Sequence, residues 1–364
     1  MTKVIARVVG ARPQFMQVPP LKNALEQAGF THRLVHTGQH YDEQMSEAFF
    51  KDLGLPHPDA NLGIGGKSQG AATGQMIEKF ESWLKENPVD AVLVDGDTNS
   101  TMAAALAAVK LHIPVFHVEA GLRDWDRRRP EEINRVVTDS VSSLNLAPLP
   151  RAIENLKLEG RGHTAHLVGD VLLDCFLHYL PMAKTDILDK LGVTSGEFDV
   201  MTLHRPDNTN MEEMPRFKEI MAEVASLPRP IIFPVHPRTR AILSSYVDHG
   251  GALGNLRLID PVGYLDMLAL VNNCNYVFTD SGGLPREAAW SGKRVVMLFR
   301  EDSWHDMLDR NWVQIGKTDR ASIHHAYKKA TPAPSVTREF YGGGQASQRI
   351  VSAIQNFFNK DSCG

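Results

Sequence analysis

The chain has 364 residues, of which 43% are hydrophobic and 23% charged, the balance of an ordinary globular protein. That length exceeds one typical core, so two domains are expected. A net charge of −4 gives no sign of nucleic-acid binding, and no run of about 18 apolar residues marks a membrane span. Three scattered cysteines with no CxxC pair indicate reduced thiols and a cytoplasmic setting.

The opening MTKVIARVV carries Lys3 and Arg7, so it reads as a first strand and not a signal peptide. A loop, GARPQF, follows and carries Arg12, which by itself reads as a plain structural arginine. PPLKNALEQAGF is an amphipathic helix closed by Gly29, HRLVHTG a second strand, and GQHYDEQMSEAFFKDLG a loop then a helix. This alternation predicts a parallel, doubly wound α/β sheet. The stretch Gly63 to Gly70 contains Gly66-Lys67-Ser68, but Asn61 stands where a phosphate-binding loop needs glycine, and no clear strand precedes it. It reads as a surface loop. The first strand lacks GxGxxG, so no nicotinamide site is expected.

Asp95 to Asp139 is the most informative stretch. AVLVDGD and IPVFHVE are short β-branched runs that close on Asp97 and Glu119, with an alanine-rich helix between them. That is a β-α-β unit with both acids at strand carboxyl ends, the edge where open α/β sheets bind ligands. A third acid, Glu131, follows Pro130 at a helix start, and Arg123, Arg127, Arg128 and Arg129 lie before it. A solvated charged loop beside a helix cap is the bland alternative, but acids that end buried strands need a partner or a task.

Further strands are expected at Leu144 to Ala147 and at 166–169, with a helix through Asn155 to Leu158 between them and a domain crossover near Asp170. The expected domains are therefore residues 1–170 and 171–345. The second half repeats the layout. Its strands end at His204-Arg205, at His236 and at Asp280-Ser281-Gly282-Gly283, the last opening a helix that carries Glu287. Glycines at a helix start let backbone N–H groups approach a phosphate. His204 and His236 have core histidines as their alternative, and Glu287 an ordinary first-turn charge. No HExxH or Cys/His spacing supports a metal site. Trp125 and Trp304 read equally as stacking or packing residues.

HVEAGLR with RRPEEINRVVTD resembles the non-hydrolysing UDP-N-acetylglucosamine 2-epimerases, including relatives that act on UDP-2,3-diacetamido-glucuronate. GARP near the start, Gly38-Gln-His40, Gly96-Asp-Thr98, His204-Arg205, His236-Pro237, DSGG at 280–283 and YGGG at 341–344 follow in the family's order over nearly the whole chain. The resemblance implies two facing Rossmann-like domains of the glycosyltransferase-B type, the last helix, 346–364, returning to the first. It implies a UDP-sugar substrate, no cofactor and a homodimer. It assigns Asp97, Glu119, Glu131 and His204 to catalysis and Arg12, His236, Ser281, Gly282, Gly283 and Glu287 to substrate binding, with Glu287 on the ribose. The implied reaction eliminates UDP to 2-acetamidoglucal and adds it back, interconverting UDP-GlcNAc and UDP-ManNAc for surface polysaccharide precursors.

Gln17 stands where many members carry lysine, and the loop around Ser303 is one residue short. These departures keep a nucleotide-sugar-binding protein without turnover in view. A glycosyltransferase shares the fold, and fold alone does not separate the classes.

Overall fold

The structure is a computed structural model that describes residues 2–38, 53–66, 68–299, 305–317 and 319–361. The chain forms two compact units. Unit 1 comprises Met1–His178 and Arg338–Gly364, and unit 2 comprises Tyr179–Thr337.

Unit 1 holds a seven-stranded sheet, β1 (Val4–Val9), β2 (Thr31–His36), β3 (Ala60–Asn61), β4 (Ala91–Asp95), β5 (Val115–Val118), β6 (Leu144–Ala147) and β7 (Ala165–Leu167). Its order is β3-β2-β1-β4-β5-β6-β7, and all pairings are parallel. Unit 2 holds β8 (Asp199–Thr202), β9 (Ile231–Pro234), β10 (Leu256–Ile259), β11 (Tyr276–Thr279), β12 (Arg294–Met297) and β13 (Gln314–Ile315), in the order β10-β9-β8-β11-β12-β13. Both sheets thus run outward from a central pair, β1/β4 and β8/β11, where the strand order reverses. Helices cover both faces of each sheet, as expected of Rossmann-like units. Among the described residues, no helix is long and apolar enough to cross a membrane.

The central strands of unit 1 are buried along their whole length, which explains their continuous apolar runs. The helix Asn99–Lys110 packs closely because Ala103, Ala104, Ala105, Ala107 and Ala108 face inward with almost no exposure. Gly10 belongs to the same close approach. A Cβ there would lie 2.0 Å from Ser100 Oγ. The final helix, Ala346–Asp361, packs on the helix Val18–Gln27, and its Phe357 and Phe358 stand edge-on to Phe116. Asp174 caps it by accepting from the N–H groups of Ala346 and Ser347. The YGGG turn meets the chain after β7, where Asp170 N–H donates to the Tyr341 carbonyl at 2.8 Å.

A short strand, β3, precedes the glycine-rich loop at 63–70, contrary to the expectation of none. Two residues are too few to show as a hydrophobic run. Ile64 in that loop is buried against Ala72, Met76 and Ala103, so its first half is anchored. The helix expected after GQHYDEQM lies outside the described residues.

Arg7 is the largest fully buried side chain, and it forms a two-point ion pair with Asp95 across β1 and β4 at 2.8 Å each. Breaking a buried pair leaves an uncompensated charge. Arg7→Met should lower the unfolding free energy by about 3–5 kcal/mol in urea titrations, and adding Asp95→Leu should restore much of the loss.

Candidate active site

Asp95 and Asp97 divide two tasks at the end of β4. The acid that ends the buried strand is Asp95, neutralised by Arg7, whereas Asp97 lies in the turn just beyond and is partly exposed. The turn between them requires Gly96, at φ 67°. Asp97 is held from the helix Pro130–Val141. Arg135 donates to Oδ2 from Nη2 at 2.6 Å and Nε at 3.1 Å, and Asn134 donates to the Asp97 carbonyl at 2.8 Å.

Glu119 follows β5 directly in a left-handed conformation, φ 66°, that a non-glycine residue adopts only when its surroundings impose it. Its Oε1 accepts from Gln17 Nε2 at 2.8 Å, and its Oε2 lies beside Gly96, 3.4 Å from where a Cβ there would stand. Asp97 and Glu119 therefore flank one glycine turn. Gln17 is buried, and Arg7 Nη1 fixes its backbone by donating to its carbonyl at 2.9 Å. Gln17 is thus a neutral donor to Glu119.

Glu131 sits exposed in the first helical turn, with no hydrogen-bond or ion-pair partner among the described residues. Its neighbour Glu132 is buried. Glu132 accepts from the N–H groups of Asp124 and Trp125 and from Arg135, and so shapes the 122–130 loop. Arg128 pairs with Asp126 and Arg129 with Asp124, so these arginines bind the aspartates of their own loop and not Glu131 or Glu132. Trp125 is 57% exposed at φ 64°, which removes the packing reading for it. Of Arg12, the structure describes only the backbone, at the start of the helix Arg12–Met16. Its neighbour Gln14 ties that helix to β4. Gln14 Nε2 donates to the Asp95 carbonyl at 2.7 Å, and Gln14 Oε1 accepts from Gly10 and Ala11 N–H.

In unit 2 the motif residues meet at the ends of β8 and β11, again at the reversal point. Asp280 is buried and accepts from the backbone N–H of His204 and Arg205, from Asn208 and from His204 Nδ1 at 3.0 Å. Burial opposes its charge, but these donors hold its carboxyl below the usual range. The contact through Nδ1 orients a half-exposed His204 ring. The His236 ring lies 5.6 Å from that of His204, and its Nδ1 accepts from Arg238 N–H at the start of the helix Pro237–Asp248. Partial burial and then the neighbouring His204 push its pKa down, so it is neutral. Ser281 N–H donates to Thr279 Oγ1, and among the described residues no atom comes within 4 Å of a Cβ at Gly283, in the turn into the helix Leu284–Trp290. Glu287 accepts from Tyr264 Oη at 2.8 Å, and burial raises its pKa to about 7. Trp304 and Ser303 lie outside the described residues. Among the described residues, no group of three or more His, Cys, Asp or Glu could hold a metal ion.

Sequence reasoning missed Gln14, Glu132, Asn134, Arg135 and Asp280, which position the candidates. Their spacing was a usable signal, because Glu132 and Arg135 sit three apart on one helix face.

Reversed strand order in both units, with charged groups at both reversal points, defines a two-unit Rossmann-like enzyme. The sequence profile of the UDP-N-acetylglucosamine 2-epimerases matches residues 23–355. A Methanococcus maripaludis UDP-N-acetylglucosamine 2-epimerase homolog is 40% identical, with 97% of this chain and 99% of that one covered. The UDP-2,3-diacetamido-2,3-dideoxy-D-glucuronate 2-epimerase of Pseudomonas aeruginosa is 39% identical, covering 96% and 99%. The crystal structure of Methanocaldococcus jannaschii UDP-GlcNAc 2-epimerase in complex with UDP-GlcNAc and UDP superposes with a TM-score of 0.80 at 33% identity, over 97% and 99% of the chains. The chain belongs to the UDP-N-acetylglucosamine 2-epimerase family and is a non-hydrolysing epimerase, an isomerase.

Glu287 makes stability pH-dependent. Its carboxyl binds a proton more tightly when folded, at about 7, than at the ordinary value of 4.5, so stability falls as pH rises between the two. The loss amounts to about 3 kcal/mol at most. Relative to its value at about pH 5, Glu287→Gln should keep stability up to about pH 8 that the parent protein loses. Unfolding titrations across that range check this.

Proposed function

We propose that the protein interconverts UDP-N-acetylglucosamine and UDP-N-acetylmannosamine by eliminating UDP and adding it back. The observation that carries this reading is the pairing of Asp97 and Glu119 around the Gly96 turn, two acids at adjacent strand ends. The C2 hydrogen has no neighbouring carbonyl to acidify it. As the C1–O bond breaks, positive charge develops at C1 and the leaving diphosphate takes the electron pair. The C2 proton then passes to a base, leaving the neutral glycal. Reprotonation of C2 on the opposite face and return of UDP complete the inversion.

Such a route needs acid–base groups around the sugar and electrostatic support for the developing cation. In this reading Asp97, Glu119, Glu131 and His204 share that work. Arg12, His236, the Ser281-Gly282-Gly283 turn and Glu287 are assigned to the nucleotide, and a Glu287 carboxylate would accept from ribose hydroxyls. The proposal keeps the cytoplasmic homodimer, supplying surface polysaccharide precursors, that the sequence and the resemblance suggest.

A second reading takes a sugar that carries a carboxylate. It is favoured by the Pseudomonas relative and by Arg127, the one guanidinium of 127–129 without an ion-pair partner among the described residues. Arginine suits a carboxylate through its planar donor fork. Comparing kcat/KM for the two sugars, with and without Arg127→Ala, separates the readings.

In heavy water, proton NMR should show epimerised UDP-sugar with deuterium at C2 and no added nicotinamide or metal. Product that keeps its original C2 hydrogen contradicts the route. Asp97→Asn, Glu119→Gln, Glu131→Gln and His204→Asn should each lower turnover roughly 100-fold or more. Near-normal turnover of a folded Glu131→Gln protein would return Glu131 to a helix-start charge.

A further inference from the structure

His117 lies on β5 and is fully buried, two residues before Glu119. Both of its ring nitrogens face oxygen. Nε2 is 2.7 Å from the Gly96 carbonyl, and Nδ1 is 2.6 Å from Asp139 Oδ1. A carbonyl oxygen only accepts, so Nε2 carries a hydrogen. Asp139 is a carboxylate, because its other oxygen already accepts from Gly121 N–H at 3.0 Å and from Arg123 Nη2 at 2.7 Å. Oδ1 therefore accepts as well, and Nδ1 also carries a hydrogen. A ring with hydrogens on both nitrogens is an imidazolium.

Its surroundings hold that charge. Burial works against it, and the charge and hydrogen bond of Asp139, the Gly96 carbonyl and the nearby Glu119 outweigh burial and raise the pKa. Asp139 comes from the helix Pro130–Val141, and Arg123 from the loop after β5. Glu159, just past the helix Pro150–Leu158, accepts from Arg123 at two points, 2.6 and 2.8 Å. Two cations and two anions alternate through the network, so no buried charge is left without a partner.

The Gly96 turn is clamped at both of its polar groups. Its N–H donates to the Val118 carbonyl at 3.0 Å, and its carbonyl accepts from His117. Asp97 comes next in the chain. We propose that His117 is a positioning residue of the epimerase site: as a doubly protonated ring it fastens the turn that carries Asp97 to the strand that delivers Glu119. This rests on the assignment of Asp97 and Glu119 to the reaction.

The test uses the full-length enzyme labelled with ¹⁵N-histidine. Long-range proton–nitrogen correlation should show one ring still protonated at both nitrogens above the pH at which an ordinary histidine loses its proton. Its through-bond link to the labelled backbone identifies it as His117 without any variant. In His117→Gln, kcat should fall roughly 10- to 100-fold as the turn loosens, with KM within about threefold. A singly protonated ring, or a folded His117→Gln with unchanged kcat, overturns the proposal. A doubly protonated ring together with full turnover of Asp97→Asn would instead sink the site reading beneath it.

Discussion

The buried Arg7–Asp95 ion pair is the constraint on which the rest of unit 1 depends. It crosses the two strands where the sheet order reverses, so it sits under the edge that carries the candidate acids. One guanidinium serves three partners. It neutralises Asp95, and it donates to the carbonyls of Gln17 and Val18. The Gln17 side chain then reaches Glu119, while Gln14 reaches the Asp95 carbonyl. A charge that would be costly alone in the core therefore fixes two loops at once. Relative to a hydrophobic pair of similar volume, such an arrangement gives little stability, and its return here is geometry.

A second buried network, His117–Asp139–Arg123–Glu159, ties β5 to the helix Pro130–Val141 and to the end of the helix Pro150–Leu158. Asp97 is held by Arg135, and Glu119 accepts from the Gln17 amide.

Much of the fold was legible because parallel strands buried on both faces leave short, apolar, β-branched runs. AVLVD, VFHV and LNLA are such runs, and the alternation with helices set the class. Pairing between distant residues was not legible. Arg7 and Asp95 are 88 positions apart, and neither the composition nor the period of either strand says that they meet. The reading of DGD accordingly took Asp97 as the strand-ending acid, when the buried terminal acid is Asp95. RRPEEINRVVTD was legible as a motif but not as a mechanism. Only the folded helix shows Asn134 and Arg135 gripping Asp97 while Glu132 shapes the loop before it.

The strand order of unit 2 places His204 and Asp280 just past its central pair, β8 and β11, as that of unit 1 places the Gly10 and Gly96 turns just past β1 and β4. Fold repetition explains why both halves offer a polar edge, and only the side chains distinguish their tasks. The acids of unit 1 have work to do only if the bond between the sugar and the diphosphate breaks and re-forms. Positional isotope exchange measures that bond directly. UDP-N-acetylglucosamine with heavy oxygen bridging C1 and the β-phosphorus should, during turnover, yield epimerised product whose label has spread to the non-bridging β-phosphate oxygens. Epimerised product that keeps all of its label in the bridge would contradict elimination and re-addition.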